Sequence, residues 1–281
     1  MTYRELHKKN EAKYLVFVIQ NSTVRLYGET SERIFSKILS EIKAAEKSRS
    51  NIFTKMPELP YEAPFIQGDG VLPGLPDIIY EGDDFVLGIE DFEFDSSGKE
   101  KYGSKMHMAE TCAEKELDDI RKSSSSTNSP LCIETKVHVT FSYEGYIKSF
   151  LNGFGSHSKK IENYKEAMRK QYPGKKNLFA FFAEDTTALG SYVRNKNGNQ
   201  PIYPLFVKEI LDEVETTRGI DLILFRTQNF YTYTLYVQQI SSETISALRM
   251  NTYNMNENKY FSYQYKMQEH IYRVDKKDDT P

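Results

Sequence analysis

Two cysteines, Cys112 and Cys132, are all that the 281 residues contain. They are too few for the disulfide framework of a secreted fold, and neither sits in a CxxC or CxxH spacing that would hold zinc. A reducing cytoplasm is the expected compartment, with both thiols read as buried side chains and not as catalysts. Long apolar runs are missing as well. LFAFFA (178–183) and IDLILF (220–225) stay far below the roughly 20 residues that span a bilayer, so no membrane is expected as a partner. The opening MTYRELHKKNEAKYL has neither an apolar stretch nor a cleavage pattern, which argues against a signal peptide. No GxxxxGK[ST] or GxGxxG occurs, and use of a nucleoside triphosphate is unsupported. The histidines His7, His107, His138, His157 and His270 form no HxxxH pair. His138, between Val137 and Val139, reads as a sheet residue, and His107, near Lys105, is the one to test.

What the chain does have is an uneven distribution of charge within a net charge of −3. Asp77, Glu81, Asp83, Asp84, Glu90, Asp91, Glu93 and Asp95 follow one another with no lysine or arginine between them. Farther on, Lys159, Lys160, Lys165, Arg169, Lys170, Lys175 and Lys176 are opposed only by Glu162 and Glu166. A local basic face is enough to hold nucleic acid, even on a nearly neutral chain.

Periodicity gives the organisation. AKYLVFVIQNSTVRLYGE (12–29) reads as a β-hairpin turning at Asn21 and Ser22. SERIFSKILSEIKAAEKS (31–48) carries Ile34, Ile38, Ile42 and Ala45 at helical spacing. After a stretch punctuated by Pro and Gly (57–77), DIIYE and FVLGIEDFEF flank GDD as a hairpin. Residues 103–122 read as a helix with Ala109, Cys112, Ala113, Leu117 and Ile120 inward, SSSSTNSP (123–130) as a loop, and LCIETKVHVTF (131–141) as a strand. Two helices, one with the basic face, then precede a buried strand NLFAFFAED, a helix PLFVKEILDEVETT, and strands IDLILFR and YTLYVQQI. The residues from about Asn258 are Tyr-rich and then charged, and VDKKDDTP reads as frayed. The expected class is α/β, a mixed sheet flanked by helices.

On a strand 85–94, alternation puts Glu90 on one face with Val86, Gly88, Phe92 and Phe94, while Asp91, Glu93 and Asp95 share the other with Leu87 and Ile89. A carboxylate on an apolar face is costly unless donors or a cation meet it, and hard oxygen ligands suit Mg²⁺ or Mn²⁺. Asp77 lies within reach across the hairpin. The alternative is that these acids line a solvent-facing sheet edge.

LPD at a strand start, a hairpin, Glu90 on the next strand and a helix after it resemble the PD-(D/E)XK nuclease core over roughly residues 30–140. The resemblance implies a restriction-endonuclease-like αβββαβ core within 1–141, and a C-terminal α/β extension, 142–281, packed on it or continuous with it. It also implies metal-dependent phosphodiester hydrolysis, with Asp77 and Glu90 as catalytic acids and ligands of Mg²⁺ or Mn²⁺. Glu32 or Glu41 would be the extra acid from the preceding helix. A restriction, phage-defence or mobile-element system is the setting it suggests.

The place of the motif lysine is taken by Phe92, which can neither stabilise negative charge nor orient water. Lys105, Lys101 and Lys136 are the replacements considered. Lys105 is preferred because the start of the following helix can reach back to the strand edge. Glu93 is the acid to test next if the strand twists. Lys159, Lys160, Arg169 and Lys170, near Tyr164 and Tyr172, are the expected nucleic-acid contacts. Glu184, Asp185, Thr186 and Thr187 follow a buried strand and read first as ordinary strand-exit chemistry. If no lysine reaches the acids, the alternative function is a catalytically inactive nuclease-like fold binding nucleic acid or protein. Oligomeric state is left open, a homodimer included.

Overall fold

The computed structural model describes residues 10–50, 64–68, 72–97, 99–100, 103–123, 131–187, 203–229, 232–252 and 260–271. The readings of His7, Lys101, the loop from 124 to 130 and the terminal VDKKDDTP concern residues outside this set. By its internal contacts the chain divides into two compact units, Met1–Phe94 with Ser149–Asn256, and Asp95–Lys148 with Glu257–Pro281. The expected boundary after residue 141 falls inside the second unit. Among the described residues, no helix is long and apolar enough to cross a membrane.

The first unit is α/β, a seven-stranded mixed sheet flanked by helices. Its described elements begin with α1 (Glu11–Asn21), β1 (Ser22–Tyr27), α2 (Glu29–Ser50), β2 (Phe65–Gln67), β3 (Ile78–Glu81) and β4 (Phe85–Phe94). The strands run in the order β1-β10-β9-β8-β4-β3-β2, where β8 is Lys176–Asp185, β9 Leu222–Asn229 and β10 Thr232–Gln239. From β2 to β4 the strands form an antiparallel meander, and β4 then pairs in parallel with β8 along its whole length. The hairpin expected around GDD is therefore present, as β3 and β4.

Near the N-terminus the expected hairpin is corrected to a helix followed by a strand. Asn10 caps α1 by accepting from the Lys13 amide at 2.8 Å. Ala12, Leu15, Val16 and Ile19 recur at helical spacing and are buried together with Tyr14 and Val18. This apolar face packs on the sheet, and packing overrides the strand preference of the β-branched residues. β1 finds its partner far along the chain, pairing in parallel with β10.

The two faces of the sheet are covered by different helices. α1 and α2 lie on the face carrying Leu87, Ile89, Leu178, Phe182, Leu222 and Leu224, and Ile34, Phe35, Ile38 and Ile42 of α2 enter that core. On the opposite face lie the first-unit residues of α4 (Tyr143–Ser158), from Ser149 on, and α5 (Ile161–Gln171). Phe150 and Phe154 of α4 meet the Phe92 ring with centroids 5.5 Å and 6.3 Å away, and Tyr164 of α5 stacks on Phe179 at 5.9 Å. A 3-10 turn, Pro204–Phe206, and the helices α6 (Lys208–Thr216) and α7 (Ser242–Arg249) complete the described elements of this unit.

In the second unit are the short strands β5 (Lys99–Glu100) and β6 (Gly103–Ser104), α3 (Lys105–Ser123), β7 (Leu131–Ser142) and β11 (Tyr260–Ile271). The segment after Asn258 is thus strand over 260–271, antiparallel to β7 in a sheet of two strands. β7 pairs with β11, and the strand parallel to β4 is β8. Ile133, Val137, Val139 and Phe141 of β7 are buried, as are Met106, Ala113 and Leu117 of α3. Cys112 is exposed, contrary to expectation. It stands one residue, about 100° of helix, from Ala113 on the inward stripe.

Candidate active site

β3 and β4 place the two expected acids side by side. Ile78 pairs with Ile89, so Asp77, one residue earlier, stands opposite Glu90 on the same face of the sheet. The strand between its neighbours is buried on both faces. Glu90 is 2% exposed and Asp91 8%, and of the strand's four carboxylates with Asp95 only Glu93 faces solvent. This removes the solvent-edge explanation for Glu90.

Two helices bring polar groups to Glu90, and two glycines let them come close. A Cβ on Gly88 would stand 2.6 Å from Met168 Sδ of α5 and 2.6 Å from Pro76 Cγ. One on Gly153 of α4 would stand 2.7 Å from Cδ2 of Phe92. With α4 settled on Phe92, the residue one turn beyond Gly153 is His157, stacked on the Phe92 ring at 6.1 Å with its Nδ1 2.6 Å from Glu90 Oε1. With α5 settled on Gly88, Tyr164, one turn before Met168, donates its hydroxyl to the same Oε1 at 2.6 Å. Lys160, in the turn joining the helices, holds its Nζ 3.9 Å from Oε1.

Glu90 Oε2 is buried and has no hydrogen-bond partner among the described residues. Asp77 Oδ2 accepts from the Asp91 amide at 2.8 Å. Burial first, and then the charge of Glu90, push the Asp77 carboxyl up to about 7, against the lowering effect of that amide. Burial and the bond to Glu90 push the Tyr164 hydroxyl well above its ordinary range, so it stays a donor.

The other expected residues are dispersed. Lys105 opens α3 and Lys136 lies on β7, both exposed and both in the second unit. Glu41 belongs to α2, on the opposite sheet face, where it accepts from Tyr80 at 3.0 Å; Glu32 is exposed on the same helix. Glu93 is exposed and points away from Glu90, and Asp95 accepts from the amide and hydroxyl of Ser97 in the second unit. Lys159 is exposed in the α4–α5 turn, while Arg169 and Lys170 are exposed in the last turn of α5, where Lys170 pairs with Glu166 at 2.6 Å. Glu184 serves the fold: it accepts from Tyr14 at 2.7 Å and meets Arg226 at 2.5 Å, while Asp185 accepts from the Thr187 amide at 3.0 Å.

His157 and Tyr164 were not singled out as partners of Glu90 by the sequence. The available signal was positional. Residues 157, 160 and 164 flank a break between two helices at near-helical spacing, but without the position of the sheet it does not say what they face.

Among the described residues, no three His, Cys, Asp or Glu side chains converge as a ready-made metal site. Mg²⁺, however, keeps most of its waters and is held by one or two carboxylates together with substrate phosphate. Asp77 and Glu90 fit that demand. They are two carboxylates on one face, one carrying a buried oxygen with no partner among the described residues and the other driven toward protonation by burial and then by its neighbour. Comparison with family models, curated proteins and solved structures returns no match for this chain.

Proposed function

We propose that this chain is a divalent-cation-dependent nuclease of the PD-(D/E)XK kind, with Asp77 and Glu90 as its acids. The observation that carries the reading is Glu90, a carboxylate 2% exposed whose Oε2 has no partner among the described residues while Oε1 is held by His157 and Tyr164. A bound Mg²⁺ or Mn²⁺ would lower the pKa of a coordinated water and offset charge on a phosphate oxygen. Asp77 and Glu90 would hold it. Tyr164 and His157 fix the Glu90 carboxylate so that Oε2 keeps one direction, and the half-buried Asp77 supplies the second oxygen. Lys159, Arg169 and Lys170 suit contact with a nucleic-acid backbone. The order α2, β2-β3-β4 meander, α5 and parallel β8 supports an αβββαβ core, and the low cysteine count supports work in the cytoplasm.

One observation favours a second reading, a nuclease-like fold that binds without cleaving: the motif lysine's position holds Phe92, 6% exposed among aromatic rings. A single experiment separates the two. Purified protein is incubated with single-stranded DNA, duplex DNA or RNA, with Mg²⁺, Mn²⁺ or EDTA, and Mn²⁺ binding is followed by calorimetry. The nuclease reading expects cation-dependent cleavage that is lost in Asp77→Ala and Glu90→Ala while both remain folded. Binding of nucleic acid with neither Mn²⁺ uptake nor cleavage would give the second reading the field.

A further inference from the structure

We propose that Lys160 is a catalytic residue of this site, the cation that stabilises charge on the scissile phosphate. The proposal rests on the nuclease reading and adds to it a group from outside the strand motif. Hydrolysis of a phosphodiester joins a water oxygen to phosphorus and breaks a phosphorus–ester bond, whose electron pair leaves with the alkoxide. The products are a phosphate monoester and a hydroxyl, the water's proton passing to the leaving side through solvent. Negative charge grows on the phosphoryl and leaving oxygens along the way, and a preorganised cation there lowers the barrier.

Position 92 cannot provide it. The Phe92 ring is enclosed by Phe150, Phe154, Phe181 and the imidazole of His157, at centroid distances of 5.5 Å to 6.3 Å. Lys160 stands where the charge is needed. Its Nζ is 3.9 Å from Glu90 Oε1, yet the side chain is 53% exposed where Glu90 is 2% exposed, so the ammonium group stands between the buried acid and solvent. A phosphate approaching Asp77 and Glu90 from solvent meets it.

The backbone holds this placement. The Lys160 amide donates to the His157 carbonyl at 3.0 Å, so one turn fixes both residues relative to Glu90. Lys160 is also the N-cap of α5, and its side chain takes no part in capping the helix. Changing that side chain therefore leaves the helix start intact.

The test compares wild type, Lys160→Met and Lys160→Arg at saturating Mn²⁺. Turnover is measured at saturating substrate, alongside substrate Kd and, by calorimetry, Mn²⁺ Kd. Met keeps the apolar stem and removes the charge. The expected result is a fall in turnover of about 100-fold or more in Lys160→Met, with both dissociation constants within roughly three-fold of wild type, and partial recovery in Lys160→Arg. Turnover within three-fold of wild type, or a loss explained wholly by weaker substrate binding, overturns the assignment and leaves the nuclease reading standing. Absence of Mn²⁺ binding and cleavage in wild type overturns both.

Discussion

Asp77→Asn is the perturbation whose consequence is most directly calculable. The Asp77 carboxyl, ordinarily near 3.8, is pushed up to about 7 by burial and by Glu90. A group whose folded value is raised binds more protons folded than unfolded, so in metal-free protein its contribution to stability is present below about pH 4 and is lost as pH climbs to about 7. At ~1.4 kcal/mol per pH unit the ceiling is ~4 kcal/mol. Solvent screening at a half-buried carboxyl brings this to ~2 kcal/mol. Asn cannot ionise, and its side-chain oxygen can still accept from the Asp91 amide, so the variant keeps the contact and loses the pH dependence. The assay is urea unfolding in EDTA at about pH 4.5 and about pH 8. Wild type should lose ~2 kcal/mol more than Asp77→Asn across that interval, or roughly 4–8 °C in melting temperature. At the upper pH the variant should be the more stable protein. Mn²⁺ should stabilise wild type most at the upper pH, where Asp77 is ionised. Parallel pH profiles for the two proteins would refute the reasoning, as would wild type gaining on the variant as pH rises.

Restoring a lysine inside the strand by Phe92→Lys should destabilise the protein by ~3 kcal/mol or more, because the stem and ammonium would replace a ring packed in a buried aromatic cluster; an unchanged urea midpoint would contradict that burial. Gly153→Ala should cost ~1–3 kcal/mol through the 2.7 Å approach of its Cβ to Phe92, outweighing the helix propensity of alanine. Combining it with Phe92→Leu should cost less than the sum of the two single changes, and strict additivity would place the clash elsewhere. Replacing Lys159, Arg169 and Lys170 with Ala should flatten the salt dependence of nucleic-acid binding by about one unit of log–log slope per lost contact. An unaltered slope would return those residues to solvent.

The sequence showed the acid pair because a hairpin is local. GDD set the turn, alternation set the face of Glu90, and the register of two neighbouring strands followed. What it could not show were the partners of Glu90. His157, Lys160 and Tyr164 lie 67 or more residues away, on helices whose seating depends on Gly88 and Gly153 being small at two particular points of contact. The same limit explains the N-terminal error. Residues 12–19 are rich in valine and isoleucine, and only the presence of a sheet face to cover decides that they coil. It also explains β7. Strand character over 131–141 was legible, but its partner β11 begins only at Tyr260, too far along the chain for local pattern to name it.

The sheet's opposite face supplies a comparison that bears on why Glu90 is built as it is. Glu184 is as buried as Glu90, and the fold meets it with a permanent cation at contact, Arg226 at 2.5 Å, itself braced 4.3 Å above the Tyr233 ring. A buried carboxylate that serves only the fold can be satisfied in this way, its desolvation offset by a partner in place at all times. Glu90 is treated differently. Its lysine stops 3.9 Å away and half in solvent, its two close partners, His157 and Tyr164, share a single oxygen, and a second acid is set beside it. An arrangement that raises the cost of its own charge on folding is stable only if the remainder of the chain bears it, here through the aromatic cluster around Phe92 and the helices seated on Gly88 and Gly153. The cost falls when a cation binds. If the proposed cation site holds, cation binding and folding stability will be linked at Glu90 and not at Glu184, a contrast that follows from the positions of their neighbours.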